Sequence, residues 1–277
     1  MQKKLIAAAV AGALATPVAI ADVAVSGSIR TGVEYTGSEW VVADNFSRLR
    51  FKASSDLGNG QSAYMGYEFR VNSAQGSIVT GNTQRLSYVG IKGDWGSLSL
   101  GSQWSTLFNT VGTFIDKSNR YGGTANTCIQ YRMKDSVYLS TNLGGFSVSG
   151  DLQMNAGGNG DDLDRATIGT NINIGGVAIG AAWQDNGDND CTGIGASLSL
   201  AGISLSGGFV DQSNGDNGFG INGSIAGIWL DYEEAGDADG VITGNYAIGL
   251  GGGAKAIIEL TNNGTDTAGI GMLRMDF

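Results

Sequence analysis

The sequence predicts an all-β protein, a transmembrane, antiparallel, up-and-down β-barrel of sixteen strands. Three observations predict this fold class. Apolar and polar residues alternate along many short segments, which is typical of strands with one apolar face. Short glycine-centred turns and longer polar loops join these segments in strict alternation. Many segments have about 9–11 residues, the length that a tilted strand needs to cross a bilayer.

Composition excludes several classes of function. The 277 residues include 47 Gly, 1 Pro and no His, and the formal net charge is −10. Without His there is no Ser-His or Cys-His catalysis and no His-metal site, and no G-x-S-x-G motif is present, so we expect no enzyme. An acidic chain is also a poor partner for nucleic acid, because phosphate contacts need Lys and Arg.

Residues 1–21 have the features of a cleaved secretory signal peptide. Lys3 and Lys4 precede the apolar run Leu5–Leu14, Pro17 breaks the chain after that run, and Ala19–Ala21 forms an A-x-A cleavage site. A transmembrane anchor is the alternative, but the stretch is short, contains Pro and lacks a basic flank. We therefore expect export, with residues 22–277 forming the barrel domain.

The strands follow from the alternation. In one segment Leu49, Phe51 and Ala53 alternate with Arg48 and Arg50. Boundaries carry errors of several residues, which leaves counts of 14 or 18 open. The predicted strands are 22–36, 46–55, 61–73, 84–92, 97–104, 133–142, 146–155, 165–174, 177–185, 191–200, 203–211, 217–225, 228–234, 241–250, 254–261 and 265–277.

The barrel must close, because an open sheet edge in lipid would leave backbone groups without hydrogen-bond partners. Sixteen strands enclose a lumen too wide for side chains to fill. The glycine excess either eases curvature and crowding or reflects drift that the fold tolerates, and the sequence does not separate these explanations.

One connection, from Ser105 to Arg132, is much longer than the others. Loops of this length are usually functional. Its apolar residues Leu107, Phe108, Val111, Phe114 and Ile115 favour a loop that folds inward and narrows the lumen. An ordinary surface cap is the alternative.

Several segments resemble one family in their order and spacing. They are MQKKLIAAAVAGALATPVAIADVAVSGSIRTGVEY, SRLRFKASSDLGNGQSAYMGYEF, RLSYVGIKGDWGSLSLGSQW, KDSVYLSTNLGGFSVSGDL and the strand that ends in Phe277. Together they resemble the sixteen-stranded, trimeric general-diffusion porins of Gram-negative outer membranes. The resemblance implies a homotrimeric, water-filled channel for small hydrophilic solutes and ions, surrounded by outer-membrane lipid and lipopolysaccharide. It also implies that the loop after strand 5 is the constriction loop.

The resemblance gives Phe277 a second role. A terminal aromatic residue preceded by apolar residues at alternate positions resembles the assembly signal that the outer-membrane insertion machinery reads. The alternative is that any lipid-facing strand ends in this way.

The resemblance also implies a constriction in which basic wall residues face acidic loop residues. The candidates on the wall are Arg30, Arg48, Arg50, Lys52, Glu68, Arg70 and Arg85, and those on the loop are Asp116, Lys117 and Arg120. The alternative is that these residues form local ion pairs, such as Arg30 with Glu34, or Arg70 with neighbours of Glu68. Because the loop offers a single acid, either the expected transverse field is weak or Arg120 and Arg132 belong to the basic side.

Charge is distributed unevenly along the chain. Residues 22–155 contain 11 basic and 10 acidic residues, whereas residues 156–277 contain 3 basic and 16 acidic ones. The acids concentrate in long loops at Asp161, Asp162, Asp164, Asp185, Asp188, Asp190, Asp237 and Asp239. A negative mouth predicts a modest cation preference. Solvated polar loops explain these acids, and Ca²⁺ binding is the alternative; we expect no other cofactor and no structural metal.

The sequence leaves two questions open. Cys128 and Cys191 could pair after export, but the sequence does not show whether they lie close enough. A substrate-selective channel, or a plugged structural or adhesive surface barrel, would show the same alternation as a diffusion pore.

Overall fold

The computed structural model describes residues 21–78, 85–154, 163–187 and 189–277. Residues 1–20 of the predicted signal peptide lie outside this range. The strands within it are β1 (Asp22–Tyr35), β2 (Trp40–Asp44), β3 (Arg48–Gly58), β4 (Gln61–Asn72), β5 (Ser77–Ile78), β6 (Leu86–Gly93), β7 (Gly96–Trp104), β8 (Arg132–Leu143), β9 (Phe146–Gln153), β10 (Arg165–Ile174), β11 (Val177–Asp185), β12 (Cys191–Leu200), β13 (Ile203–Gln212), β14 (Gly218–Ile225), β15 (Ile228–Ala235), β16 (Val241–Gly251), β17 (Ala254–Asn262) and β18 (Thr267–Asp276).

Sixteen of these strands close into an antiparallel barrel, which confirms the predicted fold. Each pairs with its neighbour along the chain, and β1 pairs with β18 from Ser28 opposite Asp276 to Tyr35 opposite Gly269. Closure gives the backbone groups of the first and last strands partners in each other, as a membrane-spanning sheet requires.

The two extra strands, β2 and β5, lie where polar loops were predicted. β2 pairs with β1 and then breaks at residues 45–47, where Phe46 adopts a left-handed φ of 57°, before the chain continues as β3. β5 pairs with Val71 and Asn72 at the end of β4. The prediction of plain loops was wrong here, because Trp40–Val42 is a β-favouring run that extends the first hairpin.

The two faces of the barrel differ as the alternation predicts. The outward side chains are apolar, and Val23, Ile168 and Leu273 are 66%, 57% and 64% exposed. Inward carboxylates such as Glu68 and Glu259 are buried. The outward apolar band is the surface that faces lipid in barrels of this kind. None of the helical turns in the described chain is long and apolar enough to cross a membrane.

The closing seam ends in a close contact between Phe277 and Gly27. Their backbones exchange two hydrogen bonds of 2.8 and 3.2 Å. A Cβ atom on Gly27 would lie 2.6 Å from the Cζ atom of Phe277, so the ring occupies space that only glycine leaves free. The role of Phe277 as an assembly signal stays a prediction.

Candidate functional site

The loop between β7 and β8 folds into the barrel, as predicted. It contains one π-helical turn, Phe108–Gly112, and one helical turn, Thr113–Ile115. Leu107, Val111 and Ile115 are completely buried and form an apolar cluster with inward residues of β11, β12 and β13. The main apolar core of the molecule therefore lies inside the barrel, between this loop and one side of the wall.

The wall beneath the loop is rich in glycine. We call these inward glycines of β10–β14 the glycine seat: Gly169, Gly180, Gly193, Gly195, Gly208, Gly218 and Gly220. A Cβ atom at Gly180 would collide with the carbonyl oxygen of Thr110, and one at Gly218 with that of Ala125. The loop therefore rests directly on the strand backbone, which gives part of the glycine excess a specific structural reason.

Two wall carboxylates hold the backbone of the loop. Glu259 on β17 accepts hydrogen bonds from the N–H groups of Asn119, Arg120 and Tyr121 at 2.8, 2.6 and 3.0 Å. Glu233 on β15 accepts hydrogen bonds from three further consecutive N–H groups of the loop, those of residues 123–125. Both side chains are buried, so the loop supplies the partners that a buried carboxylate needs.

A third carboxylate, Glu34 on β1, holds the side chains of the loop. Arg120 donates two hydrogen bonds to it at 2.9 and 2.8 Å, and the Tyr121 hydroxyl donates a third at 3.1 Å. The alternative pairing of Glu34 with Arg30 is wrong, because the bidentate guanidinium of Arg120 occupies both of its carboxylate oxygens.

A disulfide adds a covalent attachment. Cys128 of the loop is bonded to Cys191, the first residue of β12, and their Cα atoms are 6.1 Å apart. The sequence left this pairing open because the residues are 63 positions apart, and the inward fold of the loop is what brings them together.

Opposite the seated loop lies a cavity of about 430 Å³. The loop side contributes residues between Asp116 and Tyr131, and the facing wall contributes long side chains from β1, β3, β8 and β18 and from the residue before β6. Six arginines line this space, which we call the arginine cavity: Arg30, Arg48, Arg85, Arg120, Arg132 and Arg274. Asp116 is the acidic residue among the described lining.

The charges of these arginines are only partly neutralised. Arg85 and Arg50 both pair with Glu68, Arg120 pairs with Glu34, and Arg274 pairs with Asp276 at 2.8 Å. Among the described residues, Arg30, Arg48 and Arg132 have no carboxylate within 4.0 Å, the limit for an ion pair. The cavity is therefore strongly positive on the wall side.

The predicted site residues fall into three groups. Arg30, Arg48, Arg85, Asp116 and Arg120 line the arginine cavity. Arg50, Lys52 and Glu68 line an adjoining cavity of about 270 Å³ on the same wall. Arg70 and Lys117 line neither of these cavities.

Arg70 and Lys117 have different surroundings from those predicted. Arg70 pairs with Asp44 at 3.4 Å and lies over the ring of Phe46, 4.7 Å from its centroid, so its suggested pairing near Glu68 is wrong. Lys117 is exposed on the loop. The pore-lining roles assigned to the predicted residues otherwise stay predictions.

Sequence reasoning named Arg132 only as an alternative member of the basic side and did not assign Arg274 to the site. Arg274 faces Arg30 directly across the closing seam, in register between β18 and β1. The signal was present, because a closed barrel places the inward residues of its last strand beside those of its first. The holding carboxylates Glu233 and Glu259 were also missed, because their partners are loop N–H groups, which leave no side-chain pattern. Glu34 was named only as a partner of Arg30, whereas its partners are the side chains of Arg120 and Tyr121.

Asp116 is the acid within the arginine cavity. Burial raises the pKa of its carboxyl to about 6, and the nearby Glu233 carboxylate adds to this rise, while Lys117 opposes the shift. A pKa in this range means that the carboxyl changes its charge close to neutral pH.

The long acidic loops provide no support for a metal site. In the described ranges, no group of three or more His, Cys, Asp or Glu residues could hold a metal ion. Asp161, Asp162 and Asp188 lie outside the described residues. The Ca²⁺ alternative stays a prediction.

Sixteen strands that close into a barrel with an apolar outer face, and a loop folded into the lumen, define an outer-membrane β-barrel protein. The sequence model of the Gram-negative porin family matches residues 7–241. The chain belongs to this family and is a protein of the Gram-negative outer membrane, which confirms the resemblance seen in the sequence.

Curated relatives agree with this assignment. Major outer membrane protein P.IB of Neisseria meningitidis is 31% identical over 208 residues, which cover 69% of this chain and 62% of that protein. P.IB of Neisseria gonorrhoeae is 34% identical over 189 residues, 58% of this chain and 51% of that protein. The chain thus spans less than two thirds of the length of these relatives.

Solved structures share the fold. An anion-selective porin from Comamonas acidovorans has a TM-score of 0.76 at 18% identity, covering 93% of this chain and 100% of that one. Salmonella typhi OmpF, solved with daunomycin, has a TM-score of 0.75 at 12% identity, covering 92% and 97%. OmpT of Vibrio cholerae, in its trimer form, has a TM-score of 0.74 at 14% identity, covering 93% and 99%.

Proposed function

We propose that the protein is a passive diffusion channel for small hydrophilic solutes and ions, without catalytic activity. The arginine cavity of about 430 Å³ carries this proposal, because it is a polar space inside the barrel at the level of the loop. It lies between the inward loop and the facing part of the barrel wall that carries the arginines, which we call the arginine wall. The glycine seat supports the same function, since it keeps the loop against one wall and leaves the opposite side of the lumen open.

We further propose a homotrimer embedded in outer-membrane lipid and lipopolysaccharide and inserted by the outer-membrane insertion machinery. The trimer form described for the Vibrio cholerae neighbour supports the oligomeric state. The apolar outward band supports the lipid contact, and the terminal Phe277 supports recognition by the insertion machinery.

Selectivity is proposed to favour anions at the constriction. Among the described residues, Arg30, Arg48 and Arg132 form no ion pair, and rings of Arg or Lys favour anions in narrow pores. The neighbour from Comamonas acidovorans, described as anion-selective, supports this direction. The modest cation preference predicted from the acidic loops stays an opposing prediction, because those loops act at the mouth and salt screens them.

Planar-bilayer recordings test both proposals. We expect discrete conductance steps that grow with bulk salt, and a reversal potential in a KCl gradient that shows chloride preference. The double variant Arg48→Gln, Arg132→Gln should shift the reversal potential toward cations. As a matched comparison, Asp237→Asn, Asp239→Asn removes two exposed loop acids and should shift it slightly toward anions.

Two outcomes would contradict these proposals. A silent bilayer with folded, heat-modifiable protein would favour a plugged structural or adhesive barrel. The second outcome is a conducting pore that prefers cations. If Asp237→Asn, Asp239→Asn abolishes this preference and Arg48→Gln, Arg132→Gln leaves it unchanged, selectivity is set at the mouth and not at the arginines.

A further inference from the structure

Next to the arginine cavity, the wall forms a recess lined by aromatic side chains. Tyr64 on β4, Tyr88 on β6, Trp104 on β7 and Tyr138 on β8 surround about 170 Å³, together with Ser99, Gln103 and Asn109. We call the four aromatic residues and this space the aromatic recess. These residues are far apart in sequence, and the inward register of four neighbouring strands brings them together.

Two of the rings are held in place by glycines. Tyr88 lies opposite Gly66 in the β4–β6 register, and Tyr64 lies opposite Gly90. A Cβ atom on Gly66 would be 2.5 Å from the Cζ atom of Tyr88, and one on Gly90 would be 2.7 Å from the Cζ atom of Tyr64. Each ring thus lies over bare backbone and stays half-buried, so the pair is fixed in position but remains accessible from the lumen.

Trp104 connects the recess to the charged cavity, because it lines both. The Arg132 guanidinium carbon lies 5.3 Å from the centroid of its ring. The Lys92 ammonium lies 5.8 Å from the centroid of the Tyr64 ring, which also lines the recess. Two of the rings that line the recess thus each carry a cation nearby, and this positive surrounding favours a negatively charged molecule.

Two polar side chains of the recess, Ser99 and Gln103, are already paired. Ser99 Oγ donates a hydrogen bond to Gln103 Oε1, and Gln103 Nε2 donates one to Ser136 Oγ at 3.1 Å. A sugar needs free donors and acceptors for its hydroxyls, whereas four of the seven residues that line this recess are aromatic. The volume is close to the ~150 Å³ of an apolar cavity that binds one benzene molecule.

We propose that the constriction binds small aromatic carboxylates, with the ring in the aromatic recess and the carboxylate on Arg132. Arg132 supplies the charge-assisted hydrogen bonds, and Tyr88 and Tyr138 supply the aromatic surface, while Trp104 is itself stacked on Phe108 at 4.8 Å between ring centroids. This inference rests on the proposed channel function and narrows it, because it gives the pore a preferred class of solute. It also differs from anion preference alone, which does not distinguish an aromatic from an aliphatic carboxylate.

The test compares three carboxylates on the same wild-type pore in a planar bilayer at constant ionic strength. Benzoate, cyclohexanecarboxylate and acetate are added in turn, and the reduction of the chloride current is measured. We expect benzoate to act at concentrations about tenfold lower than acetate, with cyclohexanecarboxylate between them. Equal potency of benzoate and acetate, or equal potency of benzoate and cyclohexanecarboxylate, would overturn the proposal.

Variants locate the effect. Tyr88→Leu with Tyr138→Leu should remove most of the advantage of benzoate over acetate, while Arg132→Gln should weaken both. Tyr246→Leu is the matched control, because Tyr246 is 45% exposed on the outer face of β16, and it should leave the benzoate titration unchanged. An unchanged benzoate advantage in the Tyr88, Tyr138 variant would overturn the proposal.

Different results would refute the proposed channel function and the proposed binding of aromatic carboxylates. A pore that conducts in plain KCl but does not discriminate benzoate refutes the aromatic recess and leaves the diffusion channel intact. A barrel that folds and conducts nothing in plain KCl refutes the proposed function itself.

Discussion

The two sides of the barrel lumen are built from opposite kinds of side chain. Along β10–β14 the inward positions are rich in glycine, and the inward loop packs on them. Along β1, β3–β8 and β18 the inward positions carry arginine, tyrosine and tryptophan, which face open space. The difference shows that the loop takes the place of side chains on one side, so the channel is displaced toward the other.

Charge follows the same division. The arginine wall comes largely from the nearly neutral first half of the chain, whereas the acidic second half supplies Glu233 and Glu259, which hold the loop. These two acids are satisfied by loop N–H groups and face the loop instead of the arginines. The lumen therefore remains positive although the chain as a whole is strongly negative.

Side chains added at the glycine seat should disturb the difference between the two sides of the lumen most strongly. Gly180→Ala with Gly218→Ala places two Cβ atoms against the carbonyl oxygens of Thr110 and Ala125, and backbone cannot yield as a flexible side chain would. Overpacking of this kind costs about 1–3 kcal/mol, so we expect the loop to leave its position. Single-channel recording should show a larger change in conductance than for any other substitution proposed for this protein, together with weaker anion preference.

Gly249→Ala provides the control for the seat variants. Gly249 also lies on an inward position, but a Cβ atom there would meet no atom within 4 Å. The Gly249→Ala variant should have the same conductance as the wild type. If the seat variants conduct like this control, the loop does not depend on the glycines for its position.

The extent to which sequence reasoning succeeded depends on the range of the interaction. Strand positions follow from local alternation, and the predicted bounds of β10 and β11 agree with those observed. Arg30 and Arg48 were identified because they lie on the polar faces of strands near one another in the chain. Arg274 needed the further step of joining the last strand to the first.

The loop's attachments were beyond local reasoning for a physical reason. A glycine that supports a distant loop looks the same in sequence as one that eases curvature, so Gly180 and Gly218 could not be distinguished from Gly249. Carboxylates such as Glu259 bind backbone N–H groups, which every residue but proline carries. The disulfide was equally hidden, because it joins residues whose proximity depends on the inward fold.

Removing the disulfide should change the current less than filling the glycine seat does. In the double variant Cys128→Ser, Cys191→Ser the loop stays packed on the glycine seat and keeps its hydrogen bonds to Glu233 and Glu259. We therefore expect unchanged mean conductance and more open-channel noise. A disulfide acts mainly by restricting the unfolded chain, about 4 kcal/mol for a separation of 63 residues, so the variant should unfold at lower denaturant concentration. A large change in mean conductance would show that the covalent bond, and not the seat, positions the loop.

The smallest expected effect concerns Asp116, the acid in the arginine cavity. Asp116 has a pKa of about 6, raised first by burial and then by Glu233. At pH 7.5 the carboxyl is ionised and offsets part of the arginine charge, and at pH 5 it is protonated and neutral. Chloride preference should therefore increase as the pH falls through 6, measured as a shift of the reversal potential in a fixed KCl gradient. In Asp116→Asn the acid can no longer titrate, so the preference should stay at the low-pH value at both pH 7.5 and pH 5. A pH step that persists unchanged in this variant would assign the titration to a group other than Asp116.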